Sequence, residues 1–206
     1  MSDKIESLDA IMSSGKTYAI IDWMEKNPNN KYLYVSPMLS EVEDRLPNEA
    51  ASLEFTFPTT ENHNTKGEHL LELLSGGRNI SFTHSLFTDL SLKHLALIKK
   101  HGYVLIIDEE VTLIEPYQGR YSKGDITSLE EANHIKVHDE DLGRVEWLWE
   151  DMDDNTQYTQ LRRLCSMEML YCSKRSRDMM VIHLPIALVQ SASRTIIISY
   201  LFNGSV

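Results

Sequence analysis

The sequence predicts an α/β fold with a mainly parallel central sheet, and three observations carry that expectation. Strand-like and helix-like segments alternate along the first half of the chain. Tyr103-Val104-Leu105-Ile106-Ile107 is an unbroken apolar run, as suits a strand buried on both faces beneath helices. Thr195-Ile196-Ile197-Ile198-Ser199-Tyr200 brings back a strongly β-branched strand near the end.

The elements follow in order. Residues 17–25 carry apolar side chains at helical spacing with no breaker, and Asn27-Pro28-Asn29-Asn30 ends that helix. Residues 31–37 read as a short strand, rich in Tyr and Val and stopped by Pro37. Residues 40–45 predict a short helix, and the polar stretch 58–67 a loop. Residues 68–75 predict a helix stopped by Gly76-Gly77, residues 79–83 a strand, and residues 85–100 one further helix. Residues 124–180 are polar and read as a mostly helical insert, after which the last strand closes a single domain.

Composition narrows the class. The 206 residues are 42% hydrophobic and 25% charged, which is ordinary for a globular chain long enough to bury a sizeable core. No apolar run approaches the roughly 20 residues of a membrane span, and the N-terminus lacks a signal-peptide layout. A soluble, cytoplasmic protein with no membrane partner is expected. Cys165 and Cys172 are too few for a disulfide framework; seven residues apart in a helical-looking segment, they are expected on one buried face. The net charge of −11 argues against a surface that grips nucleic acid all over. Charge does segregate, however: residues 139–154 are acidic, and Arg162, Arg163, Lys174, Arg175 and Arg177 are basic. The plain reading of both is solvated surface.

Two motifs carry chemistry. Ala10-Ile11-Met12-Ser13-Ser14-Gly15-Lys16-Thr17 reads A-x-x-x-x-G-K-T, a phosphate-gripping loop with Ala at its first glycine position. In such a loop the amides of Ser13, Ser14, Gly15, Lys16 and Thr17 cradle phosphate, and the helix that follows adds its positive end. Lys16 would reach the β- and γ-phosphates, and the Thr17 hydroxyl would meet Mg²⁺. About ninety residues later the apolar run ends in Asp108-Glu109-Glu110. Carboxylates at a strand's C-terminal tip sit where ligands bind in open α/β sheets. There Asp108 would hold Mg²⁺ and Glu109 would polarise the attacking water, so the two motifs predict one ATP–Mg²⁺ site.

With those residues in hand, the chain resembles a family. The loop and Asp108-Glu109-Glu110-Val111 look like motifs I and II of superfamily 2 (DExx-box) helicases, and more closely of phage-encoded helicase-like ATPases. Softer landmarks follow the same order: Ser36-Pro37 with Glu41-Val42, Thr83-His84 with Phe87, and Ser199-Tyr200-Leu201-Phe202-Asn203-Gly204. The resemblance spans nearly the whole chain. It implies a three-layer RecA-like P-loop NTPase domain, the first of two, whose cofactors are ATP and Mg²⁺. Its partner would be a nucleic acid, DNA ahead of RNA, with a replication protein as a further candidate. By the same resemblance Ser36, Pro37, Thr83 and His84 are candidate backbone contacts; from the residues alone they read equally as a strand-ending turn and a helix cap.

Helicases of this type need a second RecA-like domain that supplies an arginine to the transferring phosphoryl group, and no second motif set follows here. Slow hydrolysis is therefore expected of this chain alone. The alternative is a non-motor nucleotide-binding protein that keeps the fold and uses its acidic face or the 124–180 insert to hold another protein. A phosphotransferase with the same loop fits less well, since Asp108-Glu109-Glu110 suits hydrolysis.

Overall fold

In the computed structural model, residues 5–9, 15–109, 114–118, 121–150, 157–173, 177, 179–184 and 186–199 are described. In chain order they form β1 (Ile5–Asp9), α1 (Lys16–Glu25), β2 (Tyr32–Ser36), a π-helical turn (Glu41–Arg45) running into α2 (Leu46–Glu49), and α3 (Lys66–Ser75). There follow β3 (Ile80–Thr83), α4 (His84–Thr88), α5 (Leu92–His101), β4 (Val104–Asp108), β5 (Ile114–Pro116), α6 (Lys123–Glu131) and β6 (Ile135–His138). The chain ends with β7 (Arg144–Trp147), α7 (Thr159–Ser166), β8 (Leu170–Cys172), β9 (Met180–His183), α8 (Ile186–Gln190) and β10 (Arg194–Ser199). These elements divide into two compact units, Met1–Val111 with Ile186–Val206, and Thr112–Pro185.

The first unit is α/β around a five-stranded sheet in the order β1-β10-β4-β2-β3, and every neighbouring pair is parallel. Strand alternation sends Tyr32, Tyr34, Val104, Ile106, Ile196 and Ile198 into one core with Ile20, Ile21 and Met24 of α1 and Leu46 of α2. The intervening Leu33, Val35, Leu105 and Ile107 are buried too, so β2 and β4 are covered on both faces. Burying one such side chain is worth about 1.5–3 kcal/mol, and these strands bury nearly every one.

The structure differs from the sequence reading in four places. β1 has no counterpart in the sequence reading: Ile5-Glu6-Ser7-Leu8-Asp9 is a polar, half-exposed edge strand, so no apolar run announces it. Residues 85–100 are two helices, because Ser91 restarts the chain as the N-cap of α5 and its N–H donates to His94 Nδ1. His94 Nε2 in turn meets the Gly67 carbonyl, so this buried histidine ties α5 to the start of α3.

The largest correction concerns the insert. The second unit begins at Thr112 and is built on a five-stranded antiparallel sheet, β5-β9-β8-β7-β6, with two helices. Its strands hold only three or four residues, too few to show a period amid so many charges. Leu161, Leu164 and Cys165 of α7, Ile126 and Leu129 of α6, and Val137, Val145, Leu170 and Cys172 of the strands are all buried. Gly143 has φ 83° and packs on the Cys172 backbone so closely that a Cβ would fall 1.9 Å from its carbonyl oxygen. Cys165 and Cys172 therefore lie on a helix and a strand rather than one helical face, and burial pushes the Cys165 thiol up to about 12.

Candidate functional site

The C-terminal edge of the parallel sheet gathers the described part of both motifs. β1 leads to α1, which opens at Lys16-Thr17 behind Gly15 in the left-handed conformation (φ 81°). That conformation, rather than lack of space, calls for glycine, since nothing lies within 4 Å of an added Cβ. Lys16 and Thr17 are half-buried in the first turn of the helix. Residues 10–14, including Ser13 and Ser14, lie outside the described residues, as do Glu110, Val111 and residues 200–206.

Asp108 ends β4 two strands away from β1, with β10 between them. Two strand spacings amount to about 10 Å. In register, Leu8, Ile198 and Asp108 form one row across the three strands. Chain direction across the sheet also reverses here: β2 leads outward to β3, while β4 leads to β10 on the other side. A reversal of this sort opens a crevice at the strand ends where ligands bind in open α/β sheets.

Asp108 is held at two points. Tyr34 Oη donates to its Oδ2 at 2.9 Å, and His84 Nε2 donates to its carbonyl oxygen at 2.9 Å. Burial pushes the Asp108 carboxyl above its ordinary range; the Tyr34 hydrogen bond opposes this, while Glu41 and Glu109 add to it. Burial likewise pulls the His84 imidazole down, and its bond to Asp108 opposes that. Glu109 sits at φ 64°, a left-handed conformation unfavourable for a residue with a Cβ, and its N–H donates to the Ile198 carbonyl at 2.9 Å. The chain thus bends at Glu109, one residue past Asp108.

The candidate nucleic-acid residues are adjacent at the same edge, since Ser36 pairs with Thr83 in register. Ser36 is buried, and its Oγ accepts the Met38 N–H at 3.3 Å. Pro37 is exposed, with Met38 and Leu39 beside it. Thr83 caps α4 through a long 3.5 Å bond from the Leu86 N–H. Of these four, His84 touches the Asp108 end of the sheet through its side chain.

Sequence reasoning gave two side chains at this edge no part in the site. Tyr34 read only as part of a strand; its contact with Asp108 depends on the register of β2 against β4. Ser199 ends β10 between the ends of β1 and β4, is buried, and its Oγ has no hydrogen-bond partner among the described residues.

The donors at this edge suit a hard divalent cation, being carboxylate and hydroxyl oxygens. Among the described residues no group of three or more His, Cys, Asp or Glu could hold a metal ion. Mg²⁺ bound with phosphates commonly takes oxygens from the phosphates and from water as well as from one or two carboxylates.

Comparison with known proteins adds a second line. Residues 114–181 match the family described as the YonV middle domain, which coincides closely with the second compact unit. The SPbeta prophage-derived uncharacterized protein YonV of Bacillus subtilis (strain 168) is 30% identical over 152 residues, covering 70% of this chain. The chain spans 35% of that relative's length. No solved structure matches the chain.

Proposed function

We propose that the first unit is a RecA-like ATP–Mg²⁺-binding domain of a helicase-like P-loop ATPase that couples hydrolysis to nucleic-acid binding or remodelling. The observation that carries this reading is the shared sheet edge: Lys16-Thr17 opens the helix after β1, and Asp108-Glu109 ends β4 one strand beyond β10. Prophage context in the relative agrees with the phage-type resemblance.

In this reading the chain's residues divide the work. The first turn of α1 offers backbone N–H groups and its positive end to phosphate. Lys16 neutralises the β- and γ-phosphates, while Thr17 and Asp108 orient a cation. Mg²⁺, when bound, neutralises charge developing on the phosphoryl oxygens. Glu109, next to Asp108, accepts a proton from the attacking water. His84 connects the Thr83-His84 corner to Asp108, so a nucleic acid bound there would act directly on the acidic strand end.

A second reading is favoured by the second unit. An independently compact antiparallel domain that matches a family of its own suits a partner-binding module attached to a nucleotide-holding base. The reading would then be a non-motor interaction protein.

One experiment separates them. ATP–Mg²⁺ binding and hydrolysis are measured with and without single-stranded DNA, using wild type and Lys16→Ala. Hydrolysis stimulated by DNA supports the motor, and stable binding without turnover supports the interaction module. Transfer to an acceptor would indicate a phosphotransferase. Undiminished ATP–Mg²⁺ affinity in a folded Lys16→Ala chain would sink the site assignment.

A further inference from the structure

We propose that Tyr34 is a positioning residue for the metal-binding carboxylate: its phenol holds one oxygen of Asp108 and leaves the other presented to a divalent cation. The inference rests on the reading of Asp108 as a Mg²⁺ ligand and deepens it.

Geometry explains how a residue in mid-strand can do this. Tyr34 is completely buried in β2, opposite Ile106 of β4 in parallel register. Side chains two residues apart on a strand share a face, so Asp108 emerges on Tyr34's face of the sheet, one step diagonally onward. Long side chains reach diagonal neighbours across a strand pair. The Tyr34 hydroxyl spans that gap, and among the described residues no other side chain donates to the carboxylate.

The chemistry of the partner matters as much as its position. Asp108 neighbours Glu109 and feels Glu41, both of which repel its carboxylate, while Arg45 attracts it from a distance without a hydrogen bond to it. An arginine or lysine on Oδ2 would steady it but would compete with a cation for the same charge. A phenol is neutral, so it fixes the carboxylate's orientation without cancelling the charge. Tyr34 is itself immobilised, since its ring lies in the core formed with Ile20, Ile21 and Leu46. The His84 bond to the Asp108 carbonyl fixes the backbone at the same residue. The carboxylate is thereby oriented before any cation arrives.

The plain alternative is that a buried tyrosine hydroxyl has merely taken the nearest acceptor, as buried hydroxyls do. That role affects stability alone. The two are told apart by titrating MgCl₂ against a fluorescent ATP analogue bound to wild type, Tyr34→Phe, Asp108→Asn and the double variant. Circular dichroism checks that each keeps its fold. Outer partners of metal ligands typically contribute 10–100-fold to metal affinity, so Tyr34→Phe should raise the half-saturating Mg²⁺ concentration about tenfold. Affinity for the analogue in EDTA should stay unchanged, and the shift should vanish in the Asp108→Asn background. An unshifted Mg²⁺ curve in Tyr34→Phe, or a shift that persists beside Asp108→Asn, overturns the role of Tyr34 alone. Failure of wild type to bind the analogue overturns the nucleotide reading, and the Tyr34 role with it.

Discussion

The backbone N–H of Glu109 donates to the carbonyl of Ile198 at 2.9 Å while Glu109 itself is held at φ 64°. The pairing bends the chain at the end of β4, immediately after Asp108. A residue with a Cβ in this conformation costs roughly 1–2 kcal/mol relative to the right-handed one. Glu109→Gly should therefore stabilise the chain by about 1 kcal/mol, while removing the carboxylate that hydrolysis requires. Glu109→Gln should keep both the strain and ATP–Mg²⁺ binding, and lose turnover. Thermal unfolding and single-turnover ATP assays read the two effects separately.

Asp108 makes a prediction about pH. Its folded-state carboxyl is raised, chiefly by burial. A group raised in this way stabilises the fold below its unfolded pKa, and that contribution disappears as pH rises through the folded value. At neutral pH the ionised carboxylate opposes folding, so Asp108→Asn should melt about 2–4 °C above wild type at pH 7. The advantage should shrink as pH falls toward about 4, where the unfolded carboxyl also takes up its proton. A melting difference independent of pH would contradict the assignment.

Nucleotide should protect the fold through Lys16. A ligand that binds only the native state, at 100 times its dissociation constant, stabilises by about 2.7 kcal/mol. ATP with Mg²⁺ should therefore raise the melting temperature of wild type and leave Lys16→Ala where it was. Differential scanning fluorimetry over an ATP series checks this.

Gly143→Ala should damage the second unit. The new methyl would lie 1.9 Å from the Cys172 carbonyl oxygen, at a φ of 83° that alanine seldom adopts. Overpacking of this kind costs roughly 3 kcal/mol. Limited proteolysis should then cut within residues 112–185 while the α/β unit persists.

Single-stranded-DNA binding should respond unequally at the opposite corner of the sheet edge. Ser36 is only 1% exposed, so Ser36→Ala should leave DNA affinity unaltered. His84→Ala should weaken it about equally for all sequences, as contacts to the phosphate backbone do. Filter binding with two unrelated oligonucleotides gives the comparison; a loss at Ser36 with none at His84 would reverse the assignment.

The apolar run at 103–107 was legible because a strand buried on both faces must be apolar throughout, and the Ile196-Ile197-Ile198 run of β10 was legible from its β-branched side chains. Lys16-Thr17 and Asp108-Glu109 were legible as local motifs, each bounded by its own strand or helix. β1 and the short strands of the second unit were not, since polar edge strands and segments of three or four residues carry almost no periodic signal. Tyr34 looked like any other strand residue: nothing local to Tyr32-Leu33-Tyr34-Val35-Ser36 says which neighbour its hydroxyl will meet.

The α/β class of the first unit, its parallel strands and the residue types at the loop and the acidic strand end follow from local composition, because burial and backbone conformation constrain each segment separately. Strand order and register are different, since they depend on which segments pair across long stretches of chain. Pairing set β10 between β1 and β4 and brought Tyr34 onto Asp108. It also drew β5 to β9 of the second unit into an antiparallel sheet, because three- and four-residue strands gain their backbone hydrogen bonds from one another and their core from α6 and α7 as well.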